Sequence, residues 1–337
     1  MTDYRLIIPI LAAFLITLFL TPLWIRKAKQ IDLIWPDMNK KSKERTAGSG
    51  GTVAVLGFII SVFFFIAYKV LIIKNSLYLI EILALVSVIL LAAGIGLIDD
   101  LLGWRKGGLS KRSRIILMIL AAIPLVVINA GKSIISMRFL GSVDLGPLYP
   151  IVLIPLGIVG ATTTYNFLAG FNGLEAGQGI IILFGLSIVA FFTGNSWLSV
   201  IALCMAASLL AFLFYNFYPA KVFPGDSLTY AVGALIAMIA ILGSFEKIAV
   251  FFFIPYIIET ILKSRGKLKK HSFGKPLNDG SLDLKYDRVY SLTHLSILVL
   301  RKMKIKPTEK HVVYSIWIFQ VVIILLGLLI FKKGIFS

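Results

Sequence analysis

Three short stretches hold most of the polar chemistry in an otherwise apolar chain. Asp99-Asp100 follows Gly96-Leu97-Ile98. Asn166 to Gln178 reads Asn-Phe-Leu-Ala-Gly-Phe-Asn-Gly-Leu-Glu-Ala-Gly-Gln. Asn216 to Asp226 reads Asn-Phe-Tyr-Pro-Ala-Lys-Val-Phe-Pro-Gly-Asp. Adjacent carboxylates repel, so Asp99-Asp100 either ends a helix in water or meets a cation that offsets the repulsion. Mg2+ is typically held by one or two carboxylates plus substrate phosphates. Asp226 and Asn166 offer further oxygens of that kind. The three glycines of the second stretch let backbone approach a ligand closely. Asp226 follows Pro224-Gly225 and precedes an apolar run. It can therefore cap a helix, at an end that also favours phosphate.

These groups must be positioned by membrane helices. Of 337 residues, 58% are hydrophobic and 15% charged, against about 25% charged in soluble domains. That balance excludes an ordinary soluble domain and a disordered chain, and a single Cys excludes a disulfide scaffold. Apolar runs at 6–25, 52–73, 77–98, 115–130, 148–169, 179–194, 197–217, 227–243, 247–262 and 312–331 predict about ten transmembrane helices. The fold class expected is an all-α integral membrane protein, one polytopic domain over 1–337. The first run lacks a small-residue cleavage site, so no cleaved signal peptide is expected.

Charge orients the runs. Of 34 Lys and Arg, 26 fall in the loops after the first, third, fifth, seventh and ninth runs. Basic residues near span ends stay in the cytoplasm. Both termini are therefore expected outside, and 263–311 is expected to be a cytoplasmic loop. All three polar stretches follow odd-numbered runs, so the catalytic loops are cytoplasmic too. The net charge of +18 then marks topology and lipid headgroups, with no nucleic-acid partner expected. Several features carry no chemistry of their own. Gly131-Lys132-Ser133 is not a phosphate loop, Cys204 reads as core, and His271, His294 and His311 lack metal-ligand spacing. Glu81 and Glu259 are expected to reach the interface near span ends.

Together the Asp pair, the Asn166–Gln178 stretch and Gly225-Asp226 resemble the polyprenyl-phosphate N-acetylhexosamine-1-phosphate transferases. The long stretch, with Asp37-Met38-Asn39-Lys40 and Leu292-Thr293-His294-Leu295, looks closest to the eukaryotic and archaeal dolichyl-phosphate branch. The bacterial branch usually has Asp where this chain has Ala169 and Asn172. The resemblance implies ten helices in the cell membrane and an active site on the cytoplasmic face. It implies transfer of N-acetylglucosamine-1-phosphate from UDP-N-acetylglucosamine to a dolichyl-type polyprenyl phosphate, releasing UMP, as the first step of lipid-linked oligosaccharide synthesis for N-glycosylation. It implies Mg2+, which Mn2+ could replace, bound by Asn166 and Asp226, with Asp99 and Asp100 as the catalytic carboxylates. Asn172 would contact uracil, and Asp37, Glu175, His271 and Lys275 would complete the nucleotide-sugar site. Lys111, Arg112 and Arg114 compete for the lipid phosphate, and a homodimer is compatible with the family.

The chain departs from the branch in three places. Gly103 stands where Asn is common, and Ala47-Gly48 replaces a Pro-Glu pair. Lys270 to Pro276 replaces a His-Arg-x-Pro sugar-contact motif. These departures touch the sugar more than the reaction, so a cell-wall type UDP-N-acetylhexosamine is the alternative donor. A transporter is the alternative from another class, but it would place charges near mid-membrane.

Overall fold

The structure is a computed structural model that describes residues 4–137 and 141–336. Its helices are α1 (Ile7–Gln30), α2 (Gly51–Ala67), α3 (Leu79–Lys106), α4 (Lys111–Ala121), α5 (Ile123–Val127), α6 (Ile154–Phe167), α7 (Leu174–Phe192), α8 (Ser196–Asn216), α9 (Gly225–Gly243), α10 (Glu246–Phe252), α11 (Ile254–Arg265), α12 (Leu292–Lys302), α13 (Glu309–Ile330) and the short α14 (Lys332–Ile335). Among the described residues, eight helical segments are long and apolar enough to cross a membrane. The other two expected spans, at 115–130 and 247–262, are each split into a pair of short helices. Pro124 opens α5 and Pro255 opens α11. Proline has no N–H and suits a first helical turn but not a helix interior, so each pair breaks where it does.

Helix α9 is the hub. Every residue from Ser227 to Ile241 is buried, with α2, α3, α6, α7, α8 and α10 packed around it. Helix α7 lies along α8, and α8 along α1. The outer helices instead turn large apolar residues outward: Phe19, Leu156 and Leu325 are each at least 60% exposed. A continuous apolar exterior of this kind suits lipid rather than water.

Helix boundaries differ from expectation at two informative places. Helix α3 runs on through Asp99-Asp100 to Lys106, so the pair does not end a helix in water. Helix α7 begins at Leu174, which puts 174–178 of the Asn166–Gln178 stretch into its start and leaves only 168–173 as loop. There Gly170 (φ 128°) and Gly173 (φ 85°) take left-handed backbone that L side chains avoid.

Three two-stranded ribbons complete the fold: β1 (Ile34–Pro36) with β2 (Arg45–Ala47), β3 (Ile134–Met137) with β4 (Gly141–Asp144), and β5 (Lys275–Pro276) with β6 (Leu282–Asp283), all antiparallel. The 263–311 segment is tied down by a residue expected at the interface. Glu259 is fully buried. It accepts from Ser291 Oγ at 3.0 Å, the Leu292 backbone N–H at 2.6 Å and Ser272 Oγ at 3.4 Å. A buried carboxylate must be paired, and this one fixes where α12 begins.

Candidate active site

The contact of α3 with the start of α9 brings the acids together. A Cβ on Gly96 would lie 2.4 Å from Asp226 O, so only glycine lets the two backbones meet. Asp100 Oδ1 accepts the Asp226 N–H at 2.8 Å, and Asp100 Oδ2 accepts that of Ser227 at 3.5 Å. Asp100 thus caps α9 from another helix, satisfying N–H groups that no residue of α9 can. Asp226 itself does not cap. Pro224 holds the cap position, without a side-chain bond, and the Asp226 carboxylate is left for the cavity. Gly225 (φ 74°) makes the turn, and a Cβ there would lie 2.2 Å from Asp100 Oδ2.

Asp99 points elsewhere. Arg114 binds it through Nε at 2.6 Å and Nη2 at 3.1 Å, Tyr230 OH donates at 3.1 Å, and the Leu109 N–H donates at 2.8 Å. The three carboxylates thus have one guanidinium nearby, and it pairs with Asp99. Asn166, at the end of α6, donates Nδ2 to Asp226 Oδ1 at 3.1 Å, which leaves its own Oδ1 as an acceptor.

A cavity of about 480 Å3 opens beside this cluster. Asp226, Asn166, Asn172, Glu175, Asp37 and His271 line it, as sequence reasoning expects. Asp99 and Asp100 stand behind the wall rather than in it. Lys275 sits across β5–β6 from Asp283 and lies outside the lining; Lys285 is the lysine that faces in. Lys111 and Arg112 are exposed at the start of α4, whereas Arg114 is half-buried on Asp99.

Sequence reasoning leaves several wall residues without a role. Asn216 lines the cavity with its Nδ2 on Val222 O and its buried Oδ1 unpartnered. Its place in the third polar stretch was the available signal. Trp35, Phe223 and Phe273 give the wall flat apolar faces. Asn39 joins four segments: its Nδ2 donates to Gly170 O (2.7 Å) and Glu309 Oε1 (3.4 Å), its N–H to Asp37 Oδ1 (3.1 Å), and its Oδ1 accepts from the Gly274 N–H (3.1 Å). Glu175 accepts the Gly170 N–H at 2.9 Å on Oε1, while Oε2 is buried with no partner. His271 lies 6.0 Å from the Phe273 ring. Burial, then Lys285 and Lys263, lower its pKa from the ordinary histidine value.

The donor set suits a divalent cation bound together with a phosphorylated ligand. Among the described residues, no three His, Cys, Asp or Glu side chains form a metal cage on their own. Mg2+ does not need one, since it usually keeps waters and borrows phosphate oxygens. Asp226 and Asn166 both line the cavity where such a ligand would sit, and three carboxylates near one arginine leave negative charge for a cation to offset.

Known proteins share the segment that carries these residues. The glycosyl transferase family 4 pattern matches residues 82–244, from α3 through α9. A protein of Saccharolobus solfataricus named as a UDP-N-acetylglucosamine–dolichyl-phosphate N-acetylglucosaminephosphotransferase is 37% identical, over 95% of this chain and 96% of its own. A protein of the same name in Sulfolobus acidocaldarius is 32% identical, over 96% and 95%. The enzyme of that name in Dictyostelium discoideum is 31% identical, over 73% of this chain and 68% of its own. With the Asp pair of α3, Asn166 of α6 and Asp226 of α9 inside the matched segment and the similarity running nearly end to end, the chain belongs to glycosyl transferase family 4.

Proposed function

We propose that this protein transfers N-acetylglucosamine-1-phosphate from UDP-N-acetylglucosamine to a dolichyl-type polyprenyl phosphate. A lipid phosphate oxygen attacks the β-phosphorus, the bond from that phosphorus to the bridging oxygen breaks, and UMP leaves. The observation that carries the reading is the meeting of Asp226, Asn166 and the 168–173 loop in one cavity at the ends of membrane-length helices. There a lipid-borne phosphate can reach a nucleotide held from the other side. Relatives named for this reaction match nearly the full chain.

The residues divide the task. Asp226 and Asn166 would hold Mg2+, which would supply charge neutralisation to the diphosphate. Asp100 fixes the first turn of α9 and so aims Asp226. Asp99 holds Arg114 beside the developing charge. With Arg114 engaged, the lipid phosphate falls to exposed Lys111 and Arg112. Lys285 takes the role expected of Lys275. Catalysis of this kind is mostly positioning and charge neutralisation.

The same contacts support ten membrane passes. The ends of α3 and α6 meet through Asp100, Asp226 and Asn166, so the chain between them must return across the bundle, and α4–α5 is what returns. Likewise α9 starts, and α13 starts at Glu309, at that one end, so α10–α11 must cross. The 11 and 5 residues of α4 and α5 rise about 24 Å together, and the 7 and 12 of α10 and α11 about 28 Å, close to the hydrocarbon thickness of about 30 Å. With the basic loops at this end, it is the cytoplasmic end.

Purified protein given Mg2+, a polyprenyl phosphate and UDP-N-acetylglucosamine should release UMP one-for-one with lipid-linked sugar. Release of UDP would reject the mechanism. UMP formed only from another UDP-N-acetylhexosamine would correct the donor, a reading favoured by the divergent Lys270–Pro276 segment.

A further inference from the structure

The largest side chain in the cavity wall is Trp35, and two glycines make room for it. A Cβ on Gly48 would lie 2.5 Å from both Cδ1 and Nε1 of the indole, closer than any side chain can sit. A Cβ on Gly103 would lie 3.6 Å from Cη2, at the far tip of the ring. The indole thus reaches from the loop before α2 to the last turn of α3. Both glycines are places where the chain departs from its branch, and at both a single ring from β1 stands where the branch carries polar side chains. The ring is mounted from outside the cavity. Trp35 pairs with Thr46 across the β1–β2 ribbon. The Gly48 N–H donates to Leu33 O at 2.9 Å, and Trp24 Nε1 donates to Gly48 O at 2.9 Å. The Phe223 N–H donates to Ala47 O at 2.7 Å, and the Gly50 and Gly51 N–H groups donate to Phe223 O and Pro224 O, each at 2.9 Å. The ribbon is therefore stitched to the segment that leads into Asp226, which fixes the indole relative to that acid. A half-buried tryptophan on so rigid a mount, in the wall of a cavity, is a platform for a ligand.

We infer that Trp35 is the specificity-determining residue for the sugar: its ring packs against a C–H face of the pyranose carried on the β-phosphorus. This rests on the transferase reading above and adds to it the residue that receives the transferred group. The tip of the ring sets the placement. Beside Gly103 stands Gly108, where a Cβ would lie 2.9 Å from Asp99 Oδ1 and 3.3 Å from Arg114 Nη2. Trp35 therefore stands at the acid end of the cavity, on the side from which the lipid phosphate approaches. The reacting phosphorus belongs there, and the group that hangs on it is the sugar. A pyranose with equatorial substituents has flat C–H faces that complement the electron-rich face of an indole. Glycine at 48 and 103 leaves no side chain there to bond sugar hydroxyls, so recognition on this wall is by shape and stacking.

Trp35→Phe keeps an aromatic face, and Trp35→Leu keeps apolar bulk without one. Equilibrium binding of UDP-N-acetylglucosamine and of UMP to the purified protein in Mg2+ separates the sugar from the nucleotide. Trp35→Leu should weaken UDP-N-acetylglucosamine about tenfold, the loss expected for one aromatic contact, and leave UMP within about twofold of wild type. Trp35→Phe should stay within about threefold of wild type for both ligands. In turnover, Trp35→Leu should raise KM for the donor more than it lowers kcat and leave KM for the polyprenyl phosphate unchanged. Equal weakening of UMP would mean that the ring serves the nucleotide or the fold, and it overturns the inference. So does a rise in KM for the lipid alone, a Trp35→Leu protein that binds the donor as the wild type does, or a Trp35→Phe protein as weak as Trp35→Leu. The wild type supplies a test that needs no variant to fold. Radical oxidation of Trp35, followed by mass spectrometry of its peptide, should slow at least about threefold with UDP-N-acetylglucosamine and Mg2+ and little with UMP, since a stacked ligand covers the ring face. Equal protection by the two ligands overturns the inference as well. Failure of the transferase reading looks different: the wild type releases no UMP from UDP-N-acetylglucosamine and polyprenyl phosphate, whatever Trp35 binds.

Discussion

At the scale of residues, the chemistry was legible where polar side chains interrupt apolar sequence. Asn166, Asn172, Glu175 and Asp226 reach one cavity because each interruption falls at a helix end. The roles were less legible, because they depend on which partner each side chain meets. Nothing in the order of residues says that Arg114 is engaged by Asp99, that Lys285 rather than Lys275 faces the cavity, or that Asn39 joins four segments. The metal reading makes a direct prediction. Asp226→Ala and Asn166→Ala should each lower turnover by about a hundredfold or more and shift the Mg2+ dependence to higher concentration, since diphosphate charge is left uncompensated. Near-wild-type turnover of Asp226→Ala at low Mg2+ would reject the ligand assignment. His294 gives a pH prediction. Its ring bridges the Phe273 carbonyl (Nε2, 3.1 Å) and the Tyr290 N–H (Nδ1, 3.4 Å). The carbonyl must accept and the N–H must donate, so the neutral Nε2–H tautomer is the one held. Burial lowers its pKa from the ordinary value. A base whose pKa is lower folded than unfolded stabilises the fold above its unfolded pKa of about 6.5 and loses that contribution as pH falls below it. Thermal unfolding should therefore show a drop in stability below that pH, and His294→Gln should flatten it.

At the scale of elements, the apolar runs located every long helix but misjudged where helices stop. Hydropathy cannot see that α3 continues past a buried and a half-buried acid, because Arg114 and the α9 N-terminus stabilise them from other elements. Nor can it see that α7 starts within a polar stretch, because that polarity lines a cavity rather than meeting water. The α3–α9 contact turns on one glycine, which gives a matched pair of variants. At Gly96 an added Cβ meets the Asp226 carbonyl and the Ser227 nitrogen at 2.4–2.5 Å, both backbone atoms, whereas at Gly94 it meets nothing within 4 Å. Gly96→Ala should cost about 1–3 kcal/mol by overpacking and should lower turnover, since it pushes Asp226 away from Asn166. Gly94→Ala should be neutral or stabilising by up to about 1 kcal/mol, the helix preference of Ala over Gly. Thermal midpoints and kcat of the two proteins, measured side by side, decide it. Equal behaviour would mean that the helices can part without harm.

At the scale of the whole molecule, the proposed ten-pass topology rests on two independent arguments. One uses only where lysine and arginine fall. The other uses only the meeting of the functional ends of α3, α6, α9 and α13, under which the two interrupted pairs would cross. Cysteine labelling can test both at once. Cys204 is fully buried, so the native thiol should be silent toward a membrane-impermeant reagent. Ser76, between α2 and α3, and Lys304, between α12 and α13, are exposed. In intact cells Ser76→Cys should react, while Lys304→Cys should react only after the membrane is opened. If both label in intact cells, one of the interrupted pairs does not cross, and the meeting of Asp226, Asn166 and Glu309 at one end would need another path for the chain. If the pattern is reversed, the acids face outward, away from the cytoplasmic pool on which a nucleotide-sugar donor depends, and the transferase reading fails with the topology.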